Sequence, residues 1–463
     1  MPEVKTAKSI GIFGICMFSI IAVDSIRALP INAMYGGALV SLLILGGLLF
    51  LLPCAFVSAE LASAWPSDGG LYVWIREAFG KQVGFVAAWL LWIYNVIWFP
   101  TIIAFICATA GEAFFPDILQ HKVLLFFVMV VFFWIVTAIN CLGVRGSSFL
   151  SSLGAVLGTL LPMCIIIALA IQWVIGQQPM AIHLSWASIW PDANTAQNVG
   201  LLPSVIFGLV GIEVSASFAG SVKNPRKNFP IAMLLSAFVI LLTLILGSLA
   251  LAVVVPQQKI NLALGVVQAF KVMFNRLGMP YMANGMLVLI FLGSLGGLST
   301  WMAGPTRNMM IAAKDGVAPR MVRKTNRFGA TSNMLLLQAV FFTILCSAYV
   351  FFPSFNSAYG LLSDMTGELS ILVYILLFSA VIRLRYTKRD VERPFQLPGG
   401  NVTIWLVAGM AFVTCVAVFI LGFIPPASLK LVNPLAYVVG LIIVVSGVVL
   451  SGVLIATRKQ VRE

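Results

Sequence analysis

Apolar residues along this chain come in long unbroken runs rather than in alternating or one-faced patterns. Bounded by charge or by Gly and Pro, the runs fall at about residues 9–32, 36–57, 83–112, 123–142, 148–175, 196–219, 230–255, 281–312, 333–352, 357–382, 403–423 and 434–456. Runs of this length without a period of two form helices rather than strands, and about 20 such residues cross the hydrocarbon core of a bilayer. The pattern predicts an all-α integral membrane protein of about twelve transmembrane helices, with connections too short for a soluble domain.

Composition narrows the class further. Of 463 residues, 61% are hydrophobic and 9% are charged, whereas roughly a quarter of a soluble domain is charged. A surface so poor in charge is solvated by the lipid bilayer, which excludes a soluble enzyme, a coiled coil, collagen or a disordered tail. The net charge of +13 does not point to nucleic acid, because the basic residues lie in short clusters between the runs. Alternating the runs across a membrane puts 21 of the 28 Lys and Arg on one side and five on the other. That asymmetry predicts a multi-pass protein of the cytoplasmic (inner) membrane with both termini cytoplasmic. Lys5 and Lys8 precede a stretch too long for a cleaved leader, so it is expected to stay as the first span. The seven Cys all sit in apolar runs without metal-ligand spacing and read as small buried hydrophobes. His121 and His183 fall outside the spans, and no phosphate loop, metal box or nucleophile elbow occurs. No metal, no cofactor and no catalytic residue is therefore expected.

Two runs depart from the ordinary. Residues 22–30 read Ala-Val-Asp-Ser-Ile-Arg-Ala-Leu-Pro, and residues 208–220 place Glu213 among glycines and serines. They belong to spans one and six, which occupy matching places if spans one to five and six to ten are repeats. A repeat of five spans forces opposite orientation on its copy, and interrupted helices at matching places in inverted halves point to a transporter binding site. The chain then reads as a single transporter domain: residues 1–175 the first repeat, 196–382 the inverted second, and 403–456 two extra helices. A helix broken at mid-membrane frees N–H groups at one new end and C=O groups at the other, and hydrocarbon satisfies neither. A zwitterionic amino acid answers both.

The candidate site residues follow from these breaks: Asp24, Ser25, Ile26 and Arg27 in span one, and Gly208, Gly211 and Glu213 in span six. Asp24 and Arg27 share a face if the segment stays helical. They are a mutually neutralising pair, or Arg27 meets a substrate carboxylate, or Asp24 meets an amine or a proton; the residues alone do not say which of the two touches substrate. Glu213 reads as a carboxylate that caps the break, as a proton carrier, or as both. Asp364 and Glu368 share a face of span ten, Glu368 near the midplane, and serve as a proton site or as packing glue. Ser299 and Thr300 either bind a cation or bond their own helix, and Trp301 either packs or lines the pocket.

The chain resembles an amino acid–polyamine–organocation superfamily transporter, most of all the glutamate/γ-aminobutyrate antiporter branch. The resemblance rests on Ala-Glu-Leu-Ala…Pro-Ser-Asp-Gly-Gly-Leu-Tyr-Val-Trp (59–74), Gly-Ile-Glu-Val-Ser-Ala…Lys-Asn-Pro-Arg-Lys-Asn-Phe-Pro (211–230) and Lys-Ile-Asn-Leu-Ala-Leu-Gly-Val-Val-Gln-Ala-Phe (259–270). Trp-Met-Ala-Gly-Pro-Thr-Arg (301–307) and Pro-Phe-Gln-Leu-Pro-Gly-Gly (394–400) add to it. It implies a five-plus-five inverted repeat with two extra helices and alternating access around spans one, three, six, eight and ten. It also implies that Glu213 matches the span-six glutamate, Trp301 a tryptophan near substrate and Tyr374 a span-ten tyrosine, with 259–277 an outer lid. The chain departs from the branch at several places. Its span-one break reads Asp-Ser-Ile-Arg where Gly-Ser-Gly is common, Gly297 replaces a span-eight acid, and Ser370 replaces a second span-ten tyrosine. Glu368 and the Asp24/Arg27 pair have no placed counterpart, and no gating C-terminal plug is expected.

Together these readings predict a secondary active amino acid transporter working by alternating access, as an exchanger or a proton symporter. An amino acid sensor on a transporter scaffold and an ion channel are the alternatives. A membrane enzyme would need clustered nucleophiles or metal ligands.

Overall fold

Every apolar run is mainly helical over its described part, with breaks in the first and sixth, in the computed structural model, which describes residues 11–67, 69–115, 118–142, 156–215, 222–327, 330–427 and 433–458. Among the described residues ten helices are long and apolar enough to cross a membrane: Ile12–Ala33, Gly36–Ala64, Lys81–Glu112, Lys122–Cys141, Leu157–Ile175, Lys227–Val254, Ser332–Phe351, Phe355–Thr387, Gly400–Leu421 and Pro434–Thr457. Two shorter apolar helices, Val199–Ser215 and Pro280–Leu295, take the places of spans six and eight. Span eight continues as helix to Lys314. No β-strand occurs among the described residues. The twelve are called spans one to twelve in chain order.

Burial sorts them into centre and rim. Span three has 94% of its most apolar stretch buried, while span twelve has 17%. A helix that apolar on all sides and that exposed faces lipid. Span three packs along spans eight and ten, and spans one and six lie against this centre. Close crossings depend on missing side chains. A Cβ added to Gly158 of span five would lie 2.1 Å from the Cα of Gly293 in span eight, so the two backbones touch there, as small residues permit in membrane helices. Five cysteines are buried, Cys141 is half-buried and Cys164 exposed, and all seven are free.

Ion pairs tie the ends of the bundle. Glu60, at the end of span two, accepts Nε and Nη2 of Arg385 at the end of span ten, both at 2.6 Å. Arg393 adds a contact at 3.6 Å, and the Leu397 backbone N–H donates to Glu60 Oε2 at 3.2 Å. At the same end Asp315, closing span eight, accepts Arg76 Nη1 and the Tyr72 hydroxyl, each at 2.7 Å. Burial pushes the Asp315 carboxyl up, but the bonds from Arg76 and Tyr72 outweigh it and hold the group below its ordinary range. The opposite end carries Lys271–Glu112 at 2.5 Å. That pair joins the helix Gly265–Arg276, within the 259–277 segment expected to be a lid, to span three.

Candidate functional site

Span one breaks where the sequence places its charges. The helix Ile12–Val23 ends at Asp24, and Asp24 and Ser25 are extended before a tight turn at Ile26–Ala28 and the helix Leu29–Ala33. The last bond of the first half is Asp24 N–H to the Ile20 carbonyl at 2.6 Å, and the first of the second is Ala28 N–H to the Ser25 carbonyl at 2.9 Å. Between them lie the carbonyls of Ile21, Ala22 and Val23 and the N–H groups of Ser25, Ile26 and Arg27, which have no helical partners. One short stretch thus offers a negative and a positive helix end.

Span six breaks after the half-helix Leu202–Phe207. Gly208 and Val210 still donate to Ser204 and Phe207, but Gly211 turns the chain with φ of +121°, a conformation that glycine adopts without steric cost. Its N–H donates to the Tyr374 hydroxyl at 3.1 Å. A Cβ on Gly211 would lie 2.9 Å from Trp301 and 3.0 Å from the Ala22 carbonyl, so this turn wedges between spans one and eight. Gly211→Ala is expected to abolish the transport that the sequence predicts, while the protein still inserts and folds, because the strain falls at the break and not in the bulk of the bundle. Amino acid uptake into proteoliposomes alongside size-exclusion behaviour checks this; uptake at the wild-type rate by the variant would contradict it.

The two breaks face one cavity, closed in by spans three, five and eight. Its lining includes Ala22 to Ala28 of span one, Phe207, Gly208 and Val210 of span six, Asn95, Trp98 and Ile102 of span three, and Gly297 and Trp301 of span eight. The space open to water-sized molecules is about 60 Å³. Arg27 is buried, and its Nη1 donates to the Thr101 and Tyr359 hydroxyls at 3.2 and 3.3 Å. Its guanidinium lies 5.4 Å from the centre of Trp98 and 6.0 Å from that of Phe207. No carboxylate pairs with it among the described residues. Asp24 turns the other way, and its Oδ2 accepts the Thr243 hydroxyl at 2.8 Å.

Four buried polar atoms around this cavity have no hydrogen-bond partner: Asp24 Oδ1, Arg27 Nε, Asn95 Oδ1 and Trp98 Nε1. Buried polar atoms are nearly always paired, and each one left alone costs about 1–3 kcal/mol. Four around one space mark a place built to receive polar groups.

The expected residues divide into two sets. Asp24, Ser25, Ile26, Arg27, Gly208 and Trp301 line the cavity. Asp24 and Arg27 do not share a helical face, because the extended backbone at Asp24 and Ser25 separates them. Gly211, Glu213, Ser370 and Tyr374 lie outside the lining. Glu213 is buried behind the break, where its Oε2 is 3.9 Å from Cys54 Sγ and Tyr374 is within hydrogen-bonding reach. Tyr374 meets the break through the Gly211 N–H, and Ser370 donates to the Gly367 carbonyl of its own helix at 2.8 Å. Asp364 and Glu368 stand away from the cavity. The side chains of Ser299 and Thr300 fall outside the described residues. Sequence reasoning missed Asn95, Trp98, Thr101 and Tyr359, since uncharged polar and aromatic residues within a span carry no signal that separates lining from packing.

Comparison with known proteins adds lineage to this geometry. The family model for amino acid permease matches residues 10–448. An uncharacterized transporter of Legionella pneumophila is 42% identical over 92% of each chain. Two glutamate/γ-aminobutyrate antiporters of Lactococcus lactis are 29% and 28% identical, each over 91% of this chain and 85% of their own.

Proposed function

The chain belongs to the amino acid permease family, and we propose that it carries a small, net-neutral amino acid across the cytoplasmic membrane by alternating access. The observation that carries this reading is the pair of opposite charges in the cavity, each with an open atom and neither paired with the other. The substrate carboxylate docks on Arg27 and on the N–H groups at Ser25 to Arg27. The ammonium meets Asp24 Oδ1 and the carbonyls of Ile21 to Val23. A zwitterion thereby supplies both missing partners, whereas a further side-chain charge would find no counter-charge in the lining. The volume, equal to about four to six water molecules at roughly 10–15 Å³ each, favours a small side chain, and Trp301 and Phe207 close around it.

In this reading residues 1–175 and 196–382 are inverted repeats that rock about the broken spans, and both termini are cytoplasmic. Gly208 and Gly211 let span six bend, and Tyr374 links that bend to Glu213. Glu213 is a proton carrier whose charge is felt at the break, so movement of substrate is coupled to protons as symport or exchange. No bond is made or broken in the substrate. Differential affinity in the two states performs the work.

Counterflow in proteoliposomes tests the assignment with labelled L-alanine, L-serine, γ-aminobutyrate, L-glutamate and L-lysine. Exchange of the net-neutral members ahead of glutamate and lysine is expected. Exchange confined to lysine or glutamate would overturn the substrate class, and binding of a labelled amino acid without flux would favour a sensor.

A further inference from the structure

Behind the half-helix Leu202–Phe207, and apart from the cavity, lies a second polar cluster that the proposed cycle leaves unused. Asp364 and Glu368 of span ten are both fully buried and one helical turn apart. Asp364 Oδ1 accepts the Ser204 hydroxyl at 2.6 Å and Oδ2 the Tyr437 hydroxyl at 3.4 Å. Tyr437 also donates to the Gly422 carbonyl at 3.1 Å. Glu368 lies against Gly422 and Pro203, and neither of its oxygens has a hydrogen-bond partner. The titratable groups that face the pair are Tyr437 of span twelve and Tyr35 of the link between spans one and two. No Lys, Arg or His pairs with either carboxylate among the described residues; Lys430 lies outside them.

We propose that Asp364 and Glu368 form a proton-binding site that is separate from the substrate cavity and acts on it through the half-helix Leu202–Phe207. Two ionised carboxylates one turn apart in an apolar setting, without a cation, repel each other and lose their hydration. One proton removes half of that charge and gives Glu368 the donor that its neighbours do not provide. A hard metal ion would need about six oxygen ligands, and both Asp364 oxygens are already engaged by hydroxyls. A proton needs one acceptor.

The link to the cavity is mechanical. Ser204 sits on the half-helix that carries Phe207 and Gly208 into the lining, and a Cβ on Gly367 would lie 2.6 Å from the Pro203 carbonyl, so span ten and this half-helix are in backbone contact. A change of charge at Asp364 and Glu368 is therefore felt by Ser204 and passed to Gly208. Tyr437 gives the proton a route, because it also lines a groove of about 360 Å³ between spans ten and twelve with Pro353 and Asn433 at one end. The site itself stands without the transport reading; its coupling role rests on it.

Infrared spectra of the full chain in lipid nanodiscs, titrated with pH alone, test the site. A carboxylic-acid carbonyl band that comes and goes with pH is expected in the wild type, absent from E368Q, kept in E213Q and moved along the pH axis in S204A. D364N and Y437F supply the same reading should E368Q fail to fold: D364N removes or displaces the band, and Y437F displaces it. An unchanged band in E368Q and D364N would overturn the site, and an unshifted one in S204A would overturn its link to the half-helix. In proteoliposomes loaded with whichever panel amino acid the wild type exchanges, E368Q is expected to keep counterflow and lose part of the stimulation by a pH gradient, the remainder being carried by Glu213. Full stimulation in E368Q overturns the coupling. Absence of any wild-type counterflow would instead sink the transport reading and leave the spectral result standing.

Discussion

Replacing Arg27 with methionine is expected to weaken binding of a small neutral amino acid roughly a hundredfold, about 3 kcal/mol, without lowering thermal stability. Arg27 is 6% exposed and is held by two neutral hydroxyls and two aromatic faces, with no anion among the described residues. In the empty protein it is a buried cation with incomplete compensation, which is costly. Methionine keeps the unbranched stem between Trp98 and Phe207 and removes that cost, so the variant folds at least as well. In the proposed complex the guanidinium gains the substrate carboxylate in a low-dielectric site, where a charge-assisted bond is strong, and methionine has nothing to put in its place. Arg27→Lys should recover only part of the affinity, because an ammonium lacks the planar fork and the stacking face. Equilibrium binding and counterflow in parallel with thermal unfolding read all three effects. An R27M protein that binds as the wild type does would remove Arg27 from the site; one that melts far below it would make the residue a structural tie.

The second large effect lies at the arginine-rich end of the bundle. Glu60→Gln is expected to destabilise the protein by about 3–5 kcal/mol, the range for removing one partner of a buried ion pair. Glu60 is 0% exposed and gathers Arg385, Arg393 and the Leu397 N–H, so its loss leaves two arginines facing each other around a neutral amide. That end ties span two to span ten and to the following loop, and its loosening should also expose it to labelling. Replacing Glu60 and Arg385 together with methionine should recover much of the loss, since an apolar pair carries no desolvation penalty. Thermal unfolding in detergent and the labelling rate of a cysteine placed at residue 396 check this. If E60Q melts with the wild type, or the double replacement melts with E60Q, the pair is not what holds that end.

The same contact explains two stretches that sequence reading could only match to a family. Ala-Glu-Leu-Ala at 59–62 and Pro-Phe-Gln-Leu-Pro-Gly-Gly at 394–400 meet in space: Glu60 takes the Leu397 N–H, and Ser63 exchanges bonds with the Phe395 backbone. Likewise Tyr72, within 59–74, holds Asp315 at the end of span eight. Nothing in either stretch alone names its partner, because the attraction exists only once the helices are side by side.

Membrane residence, the positions of the spans and the places where two of them break were readable from the residues themselves. Each depends on local chemistry: apolar length sets a span, while Asp24, Arg27, Pro30 and the glycines around Gly211 weaken a continuous helix wherever the chain folds. What the break does with its charges was not readable. The reading that Asp24 and Arg27 share a face assumed a helix through Ser25; the extended turn sends Asp24 to Thr243 and Arg27 to Tyr359, 219 and 332 residues away. Tyr374 and Glu213 stand behind the break instead of in the cavity for the same kind of reason. Which side of a helix looks inward is fixed by its rotation against neighbours distant in the chain, and in an apolar run with no polar face the sequence carries no record of that angle.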